Sequence, residues 1–470
     1  MSRESKLFKN TVIITVGKIC TQLITFLLLP LYTGILSTEE YGTVDLLNTL
    51  VSLLLPIVTF QVEQALFREL IEARKDDVKK KKLISTGMVT VTFQCILYLI
   101  IFAILSPFIN NHYKIFLATN VVAFIFSSLL LQISRGLGDN KKYAFGSFIS
   151  ASTTILFNIL FLVFVKLGAN GMLLGTMLGQ ITCVFYLFFS LKIYKYLDVK
   201  EYSKELIKKL WKYSIPLIPN AISWWVFNAS DRVIVSGLLG VGQNGILAAA
   251  TKFSTVYITL YNIFNMSWTE SFSVHIKDKD VDEYFNKMFN VILNLFTALA
   301  VGMIACMPFV YPIMVNSKFQ FGYSLVPILL LASLFNVVVG LVSVIYIANK
   351  NTKAIANTSI FSAVCNIVTH LCLIKFIGLY AAAVSTLVSF AIMSIYRYFD
   401  VKRRYFKIKL DVHLIIKTLI ILPIILIIYY INNLWLNVLS LVIATLFAWD
   451  LNKNSIGSIF NLLKKKIKKV

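Results

Sequence analysis

Apolar residues run in long blocks through almost all of the chain, and polar residues collect in the short gaps between them. A block of about 18 or more apolar residues crosses the ~30 Å hydrocarbon core of a bilayer as a helix. A membrane barrel would instead alternate apolar and polar positions in strands of about 10 residues, and that alternation is absent. The blocks predict fourteen spans, at about 11–34, 43–66, 84–105, 115–133, 144–165, 172–191, 214–238, 246–269, 287–315, 323–347, 355–375, 380–399, 412–430 and 435–450. The ninth is long enough to tilt or break at Pro308 and Pro312.

Composition agrees with this reading. The 470 residues are 58% apolar and 14% charged, with a mean hydropathy of +0.78, too little polar surface for a soluble chain of this size. The net charge of +23 is not a nucleic-acid footprint, because the basic residues lie in the loops. Thirty-seven of the 45 lysines and arginines fall on one side of the alternating spans. Lys114, Lys166, Lys318 and Lys375 fall on the other, and Lys18, Arg232, Lys252 and Lys417 sit within or at the edge of spans. By the positive-inside rule both termini are cytoplasmic. The lysine-rich tail at 464–469 would touch anionic lipid headgroups. The six cysteines (Cys20, Cys95, Cys183, Cys306, Cys365, Cys372) lie in apolar spans without a CxxC pair. They read as buried small hydrophobes rather than as a disulfide framework or a metal site. The first span is too long for a cleavable signal and lacks a small-residue cleavage site.

The pattern repeats. TGILSTEEYG at 33–42 lies over SGLLGVGQNG at 236–245 at an offset of 203, with Gly34 over Gly237 and Gly42 over Gly245. The second span carries a stripe at Asp45, Asn48, Ser52, Pro56, Thr59 and Glu63, and the eighth one at Lys252, Thr255, Thr259 and Asn262, followed by Thr269 and Glu270. A second match sets KLGANGMLLGT (166–176) beside KFIGLYAAAVST (375–386). The fifth span shows Ser147, Ser150, Thr154 and Asn158, and the eleventh shows Ser359, Ser362, Asn366 and His370, both spaced 3, 4, 4. Six spans repeated in one orientation predict a parallel repeat with the substrate path between its halves. The expected fold class is thus an all-α polytopic membrane protein of about fourteen transmembrane helices. Two six-helix lobes are related by a parallel pseudo-twofold, and two C-terminal helices follow. The expected division is an N-lobe at 1–192, an amphipathic cytoplasmic connector at 193–213, a C-lobe at 214–400, and the last two spans with the basic tail at 401–470.

Charge inside a span is costly and usually faces a cavity or a partner. Lys18 lies about 12 Å into the first span at 1.5 Å per residue, on one face with Thr11, Thr15, Gln22 and Thr25. The seventh span opens with PLIPN and carries Asn228, Asp231 and Arg232 beside Trp224 and Trp225; the eighth brings Lys252. Each has a plainer reading. Lys18 and Lys252 can snorkel to an interface, Asp231 and Arg232 can neutralise neighbours, and Glu63, Arg68 and Glu270 can form rim ion pairs. Adjacent residues point about 100° apart on a helix, so Asp231 and Arg232 are expected to have different partners. Several half-buried cations together nevertheless match a phosphate-bearing substrate. No metal site is indicated.

YTGILSTEEYGTVDLLNTL (32–50), ALFREL (65–70), WWVFNASDRVIVSGLLG (224–240) and LGANGMLLGT (167–176) together resemble the polysaccharide-unit (oligosaccharide-lipid) flippases of the multidrug/oligosaccharidyl-lipid/polysaccharide exporter superfamily. The resemblance covers spans one to twelve. It implies two six-helix lobes around a V-shaped cavity and alternating access. It implies a bacterial plasma-membrane transporter that moves an undecaprenyl-pyrophosphate-linked saccharide to the outer leaflet for capsule or O-antigen synthesis, in company with other polysaccharide-assembly proteins. It also implies cavity cations for the anionic head, here Lys18, Arg232 and Lys252. The further polar or coupling candidates are Gln22, Asp45, Glu63, Arg68, Asn228, Asp231, Asn262, Glu270 and His370; the driving force is open among the substrate gradient, the membrane potential and H⁺ or Na⁺ as a coupling ion, with no other cofactor. Three alternatives stay open. A peptidoglycan-precursor flippase shares the chemistry. A multidrug antiporter would favour an acidic cavity, against the lysines and arginines found here. A membrane-embedded polymerase or glycosyltransferase would need a catalytic outer loop, which 239–245 and 431–434 do not supply.

Overall fold

The computed structural model describes residues 24–467 except 109–110, 277, 350 and 406–407; the side chains of 227, 228, 274, 352 and 454–467 also lie outside the description. The described residues form helices and no strand. Their contacts group into two units, Met1–Gly245 and Ile246–Val470.

The first unit opens with α1 (Leu29–Ile35) and α2 (Thr38–Thr59). The motif residues between them have local physical jobs. Ser37 Oγ accepts from the Glu40 backbone N–H, and Glu40 Oε2 accepts from the Ser37 N–H, a reciprocal capping box at the start of α2. The other Glu40 oxygen accepts from the Ala169 N–H at the start of α7 (Gly168–Ser190). The second predicted span is not one straight helix. Phe60 and Gln61 adopt left-handed backbone (φ 49° and 55°), ending α2 and starting α3 (Val62–Glu72).

α4 (Asp77–Leu105), α5 (Lys114–Leu137) and α6 (Asn140–Ile159, running on into a π-helical turn, Leu160–Phe164) follow. Around Leu66, Leu70, Val91, Leu129, Leu130 and Leu187, α3, α4, α5 and α7 form one buried core. The expected amphipathic connector is α8 (Lys204–Ser214). Its Ile207 and Leu210, one turn apart, enter that core, while Lys209 pairs with Glu69 and Lys81 pairs with Asp198 at 2.9 Å. The Lys81 ammonium holds the Asp198 carboxyl below its ordinary range. α9 (Ile218–Leu238) and the first turn of α10 (Val241–His275) complete the unit. The helix that opens the second half of the repeat therefore packs within the first unit.

The polar stripe of the fifth span has a structural role. α7 presents Gly171, Gly175 and Gly179 at four-residue intervals. A Cβ on Gly179 would overlap Thr154 Oγ1 and lie 2.8 Å from Ser150 O, and one on Gly175 would overlap Asn158. Small residues allow such close helix approach in a bilayer. Ser150, Thr154 and Asn158 thus face the glycine ridge, and Asn158 is hydrogen-bonded to Tyr32 Oη at 3.2 Å. Gly179→Val is expected to lower stability by about 3 kcal/mol or more through overpacking at this crossing, read as thermal unfolding in detergent.

In the second unit, α11 (Val281–Met314) runs unbroken through Pro308 and Pro312, so of the tilt or break that its length allows, the break does not occur. Each proline removes one backbone hydrogen bond, and the remaining bonds of the 34-residue helix carry it through. α12 (Gly322–Ala348), α13 (Thr352–Ile377), α14 (Tyr380–Arg404), α15 (Val412–Ile431) and α16 (Leu434–Ile467) follow. Tyr257, Tyr261 and Phe264 of α10 set their rings edge-on to Phe296 of α11. Tyr323 and Tyr429 stack at 4.2 Å and join α12 to α15. Lys417, one of the lysines placed within a span, pairs with Asp450 and joins α15 to α16. The eleventh-span stripe again lies at a hairpin interface: Ser362 Oγ donates to Ser389 O, and Asn366 Nδ2 to Thr386 Oγ1, both at 3.5 Å.

Eleven helices among the described residues are long and apolar enough to cross a membrane, and they fall on eleven of the fourteen predicted spans. The other three predictions fall on Ile24–Ile35, whose preceding residues lie outside the description, and on α9 and α10, the helices richest in the polar residues considered next. The protein is a multi-pass membrane protein. The five described cysteines are free.

Candidate functional site

α2 and α9 run antiparallel and touch every two turns. At one end Arg232 Nε lies 2.8 Å from Asp45 Oδ2. Two turns along, the Trp225 indole N–H donates to Thr49 O at 2.9 Å and to Ser52 Oγ at 3.1 Å. Beyond the α2 break, Gln61 Nε2 donates to Leu217 O at 3.3 Å. The seven-residue steps from Asp45 to Ser52 and from Arg232 to Trp225 match because two helical turns take about seven residues.

The first turn of α10 closes the ion-pair end. Asn244 Nδ2 donates to Gly42 O at 3.0 Å and reaches Asp45 Oδ2 at 3.5 Å. This approach depends on glycine. A Cβ on Gly42 would overlap the Val241 carbonyl oxygen and lie 2.7 Å from Gly245 N; one on Gly245 would overlap Thr38 O and lie 2.9 Å from Gly42 N. The two glycines matched by the 203-residue offset therefore meet each other. Gly34 and Gly237, the other matched pair, face open space.

The Asp45–Arg232 pair is half-buried, with side-chain exposures of 18% and 22%. Its carboxylate accepts from both a guanidinium and an amide. Such a charge-assisted pair holds the guanidinium in place, and both side chains keep about a fifth of their surface exposed. Two residues singled out separately in the sequence, one as a substrate cation and one as a coupling candidate, form one unit here. Asp231, beside Arg232, is half-buried on the same helix.

Glu63 stands at the start of α3, just after the two left-handed residues, and is only 3% exposed. No basic nitrogen lies within 4 Å of its carboxylate among the described residues, and its Oε2 has no hydrogen-bond partner. The neighbouring turn is held by Gln94, whose Nε2 donates to Thr59 O at 3.3 Å. Arg68, a turn and a half further, is exposed and stacks on the Tyr213 ring at 4.6 Å. Lys18 and Gln22 lie outside the described residues, as does the Asn228 side chain. In the second unit Lys252 is half-buried on α10, Asn262 and Glu270 are exposed on the same helix, and His370 is fully buried on α13. No cluster of three or more metal-ligating side chains occurs among the described residues.

The charge alternation missed one residue. It assigns Arg397 to a loop at 397–411, yet Arg397 lies within α14 and is 3% exposed. The missed signal is Ser385, Ser389, Met393 and Arg397, one residue every four on a single face.

The profile of a family described as polysaccharide biosynthesis protein matches residues 7–269, more than half of the chain and all of the α2–α9 contact. The chain belongs to this polysaccharide biosynthesis family. Among curated relatives of this family member, the Lsg locus putative protein 1 of Haemophilus influenzae is 25% identical over 283 residues, 58% of this chain and 68% of that protein. Among solved structures, the lipid II flippase MurJ in an inward closed conformation superposes with a TM-score of 0.71 at 16% identity, covering 95% of this chain and all of the other. An inward-facing multidrug resistance MATE family transporter of the MOP superfamily reaches 0.66 at 12% identity, covering 83% and 94%. At these identities the likeness is one of fold. This polysaccharide biosynthesis protein has a MurJ- and MATE-like helical fold.

Proposed function

We propose that the chain is a flippase, not an enzyme. It moves a saccharide linked to a polyprenyl pyrophosphate from the inner to the outer leaflet of a bacterial plasma membrane, for capsule, O-antigen or a related surface polymer. The half-buried Asp45–Arg232 pair in a member of a polysaccharide biosynthesis family carries the reading. Both termini are cytoplasmic on the distribution of lysine and arginine. The anionic head displaces Asp45 from Arg232, taking its place as the charge-assisted acceptor; Lys18 and Lys252 are the other cations that the sequence offers for the head's path. The lipid tail stays in the bilayer while the chain alternates between inward- and outward-open states. An anionic head also feels the membrane potential, at about 2.3 kcal/mol per charge per 100 mV.

Glu63 is the coupling group in this proposal. A carboxyl so enclosed, with an unbonded Oε2 and no cation within 4 Å among the described residues, accommodates a proton or a sodium ion. Glu63→Gln should leave folding intact, because it removes a buried charge at nearly constant volume, and remove the dependence of transport on the ion gradient. Uptake or flipping assays with imposed H⁺ or Na⁺ gradients check this, and unchanged gradient dependence would count against it.

The test of the main reading is leaflet exchange of a labelled lipid-linked saccharide in proteoliposomes. Arg232→Ala should slow exchange at least tenfold at equal protein density, about 1.4 kcal/mol of lost interaction with the head. Arg232→Lys should recover part of the rate, since it keeps the charge and loses the planar fork. Lipid II serves as the second substrate, because the MurJ fold likeness favours a peptidoglycan-precursor reading as the alternative. Exchange of lipid II and not of other lipid-linked saccharides would select that alternative.

A further inference from the structure

Arg397 is a guanidinium in the membrane-spanning part of the second unit with only neutral partners. Its Nε and Nη2 donate to Thr358 Oγ1 at 3.0 and 2.7 Å, Nη2 also reaches Ser359 Oγ and Ile355 O, and Nη1 donates to Ser343 Oγ. Among the described residues no carboxylate lies within 4 Å of it. Asp400, one turn on, is taken by Arg404 and by the Tyr346 hydroxyl. A buried positive charge thus stands without an anion where water does not reach it, which is costly unless an anion is available close by.

A cavity of about 270 Å³ lies on the other side of Thr358, between α13 and α14. Thr358 and Ser362, both buried, give it a polar floor, and Asn357, Phe361, Ile392 and Tyr396 line it further out. The walls open outward: Phe361 is 59% and Tyr396 52% exposed. Asn357 is exposed too, and neither it nor Tyr396 has a side-chain hydrogen bond or ion pair among the described residues. Asn357 stands five residues after the start of α13, roughly 7–8 Å along the helix at 1.5 Å per residue. That depth is where headgroups meet acyl chains. Lys353, one turn before Asn357, and Arg403, two turns beyond Tyr396, are exposed at the same end of the hairpin.

We propose that this groove binds the phosphodiester of an anionic membrane phospholipid in the lysine- and arginine-rich leaflet. Asn357 and Tyr396 donate to the phosphate oxygens. Arg397, one hydroxyl behind the floor, supplies the field, and Lys353 and Arg403 widen it at the rim. The acyl chains lie over Phe361 and Ile392. The bound phosphate supplies the negative charge that Arg397 lacks, and so fastens α13 to α14 from the lipid side. The site is separate from the α2–α9 pair and does not depend on what the protein transports.

Native mass spectrometry of the full-length protein tests it, by titration with phosphatidylglycerol, phosphatidylcholine and inorganic phosphate. The wild type should bind one phosphatidylglycerol more tightly than phosphatidylcholine. Asn357→Leu with Tyr396→Phe, at positions that hold no internal bond, should fold normally and weaken phosphatidylglycerol about tenfold, as expected for two lost hydrogen bonds. Arg397→Lys, which keeps the charge, should retain the preference for the anionic lipid. Equal affinity for the two lipids, or an unchanged affinity in the double variant, would overturn the site. Inorganic phosphate that competes at equal concentration would overturn the lipid as its occupant.

Discussion

Asp45→Ala should destabilise the full-length protein by about 3 kcal/mol, the lower end of the cost of stranding one charge of a buried pair. The lower end applies because both side chains keep about a fifth of their surface, 18% and 22%. The loss is not that of the Coulomb attraction alone. Arg232 would keep its charge in a place prepared for a carboxylate, and Asn244 would lose its second acceptor. The double variant Asp45→Asn, Arg232→Gln should recover more than half of the loss, because two amides of similar size can bond each other without a net charge. Thermal unfolding of the wild type, Asp45→Asn, Arg232→Gln and the double variant in one detergent gives the four corners of a cycle. Additive losses would mean that the two residues do not act together. The same variants bear on transport: if Asp45 serves only to hold Arg232 ready, the double variant should be stable and inactive.

Gly42→Ala is the second large effect. One methyl group would have to occupy the space of the Val241 carbonyl oxygen, and Gly245 N lies 2.7 Å away. These are backbone atoms, so no rotamer change relieves the overlap, and α2 must move away from the start of α10. That movement pulls Asn244 off Gly42 O and loosens the ion pair beside it. We expect a loss of 3 kcal/mol or more, at or above the upper end of about 1–3 for overpacking. Gly245→Ala should behave alike, since its own Cβ would overlap Thr38 O. Gly34→Ala and Gly237→Ala are the controls. Both positions face open space in helices, and alanine there should be neutral or stabilising by up to about 1 kcal/mol. Folded yield by size-exclusion chromatography separates the two pairs. Similar yields for all four variants would contradict the close crossing.

The outcomes differ in kind because the repeat conserves a pattern and not an environment. The 203-residue offset finds both glycine pairs with equal ease, yet only one pair lies at a crossing. Similarly, the stripe at Ser150, Thr154 and Asn158 has the same 3–4 spacing as the stripe at Asp45 and Ser52. The first packs against the glycines of α7, and the second meets Arg232 and Trp225 across α9. Periodicity reports which residues share a helix face; it does not report what stands opposite.

Some of the site was legible for definite physical reasons. A charge in an apolar span is rare because it is costly, so Asp45 and Arg232 stood out from composition and position alone. The capping box at Ser37 and Glu40 was present in the letters STEE, since it uses residues three apart. Arg397 was hidden by the same charge rule from which an orientation was expected. A basic residue near the end of a span looks like a loop charge, and only the burial of its guanidinium against Thr358 and Ser343 marks it as different.

The sequence by itself determined the helical, membrane-spanning class and eleven of the spans. Each follows from local terms: the length of apolar runs, the 3.6-residue period and the cost of charge in hydrocarbon. Only the tertiary structure decided that the second span breaks at Phe60 and Gln61, that the ninth runs through its prolines, that Asp45 belongs to Arg232 and that Gly42 meets Gly245. Those outcomes depend on residues up to about two hundred positions apart in the chain. Their energies come from close packing and charge pairing across helices, and no window along the sequence contains both partners.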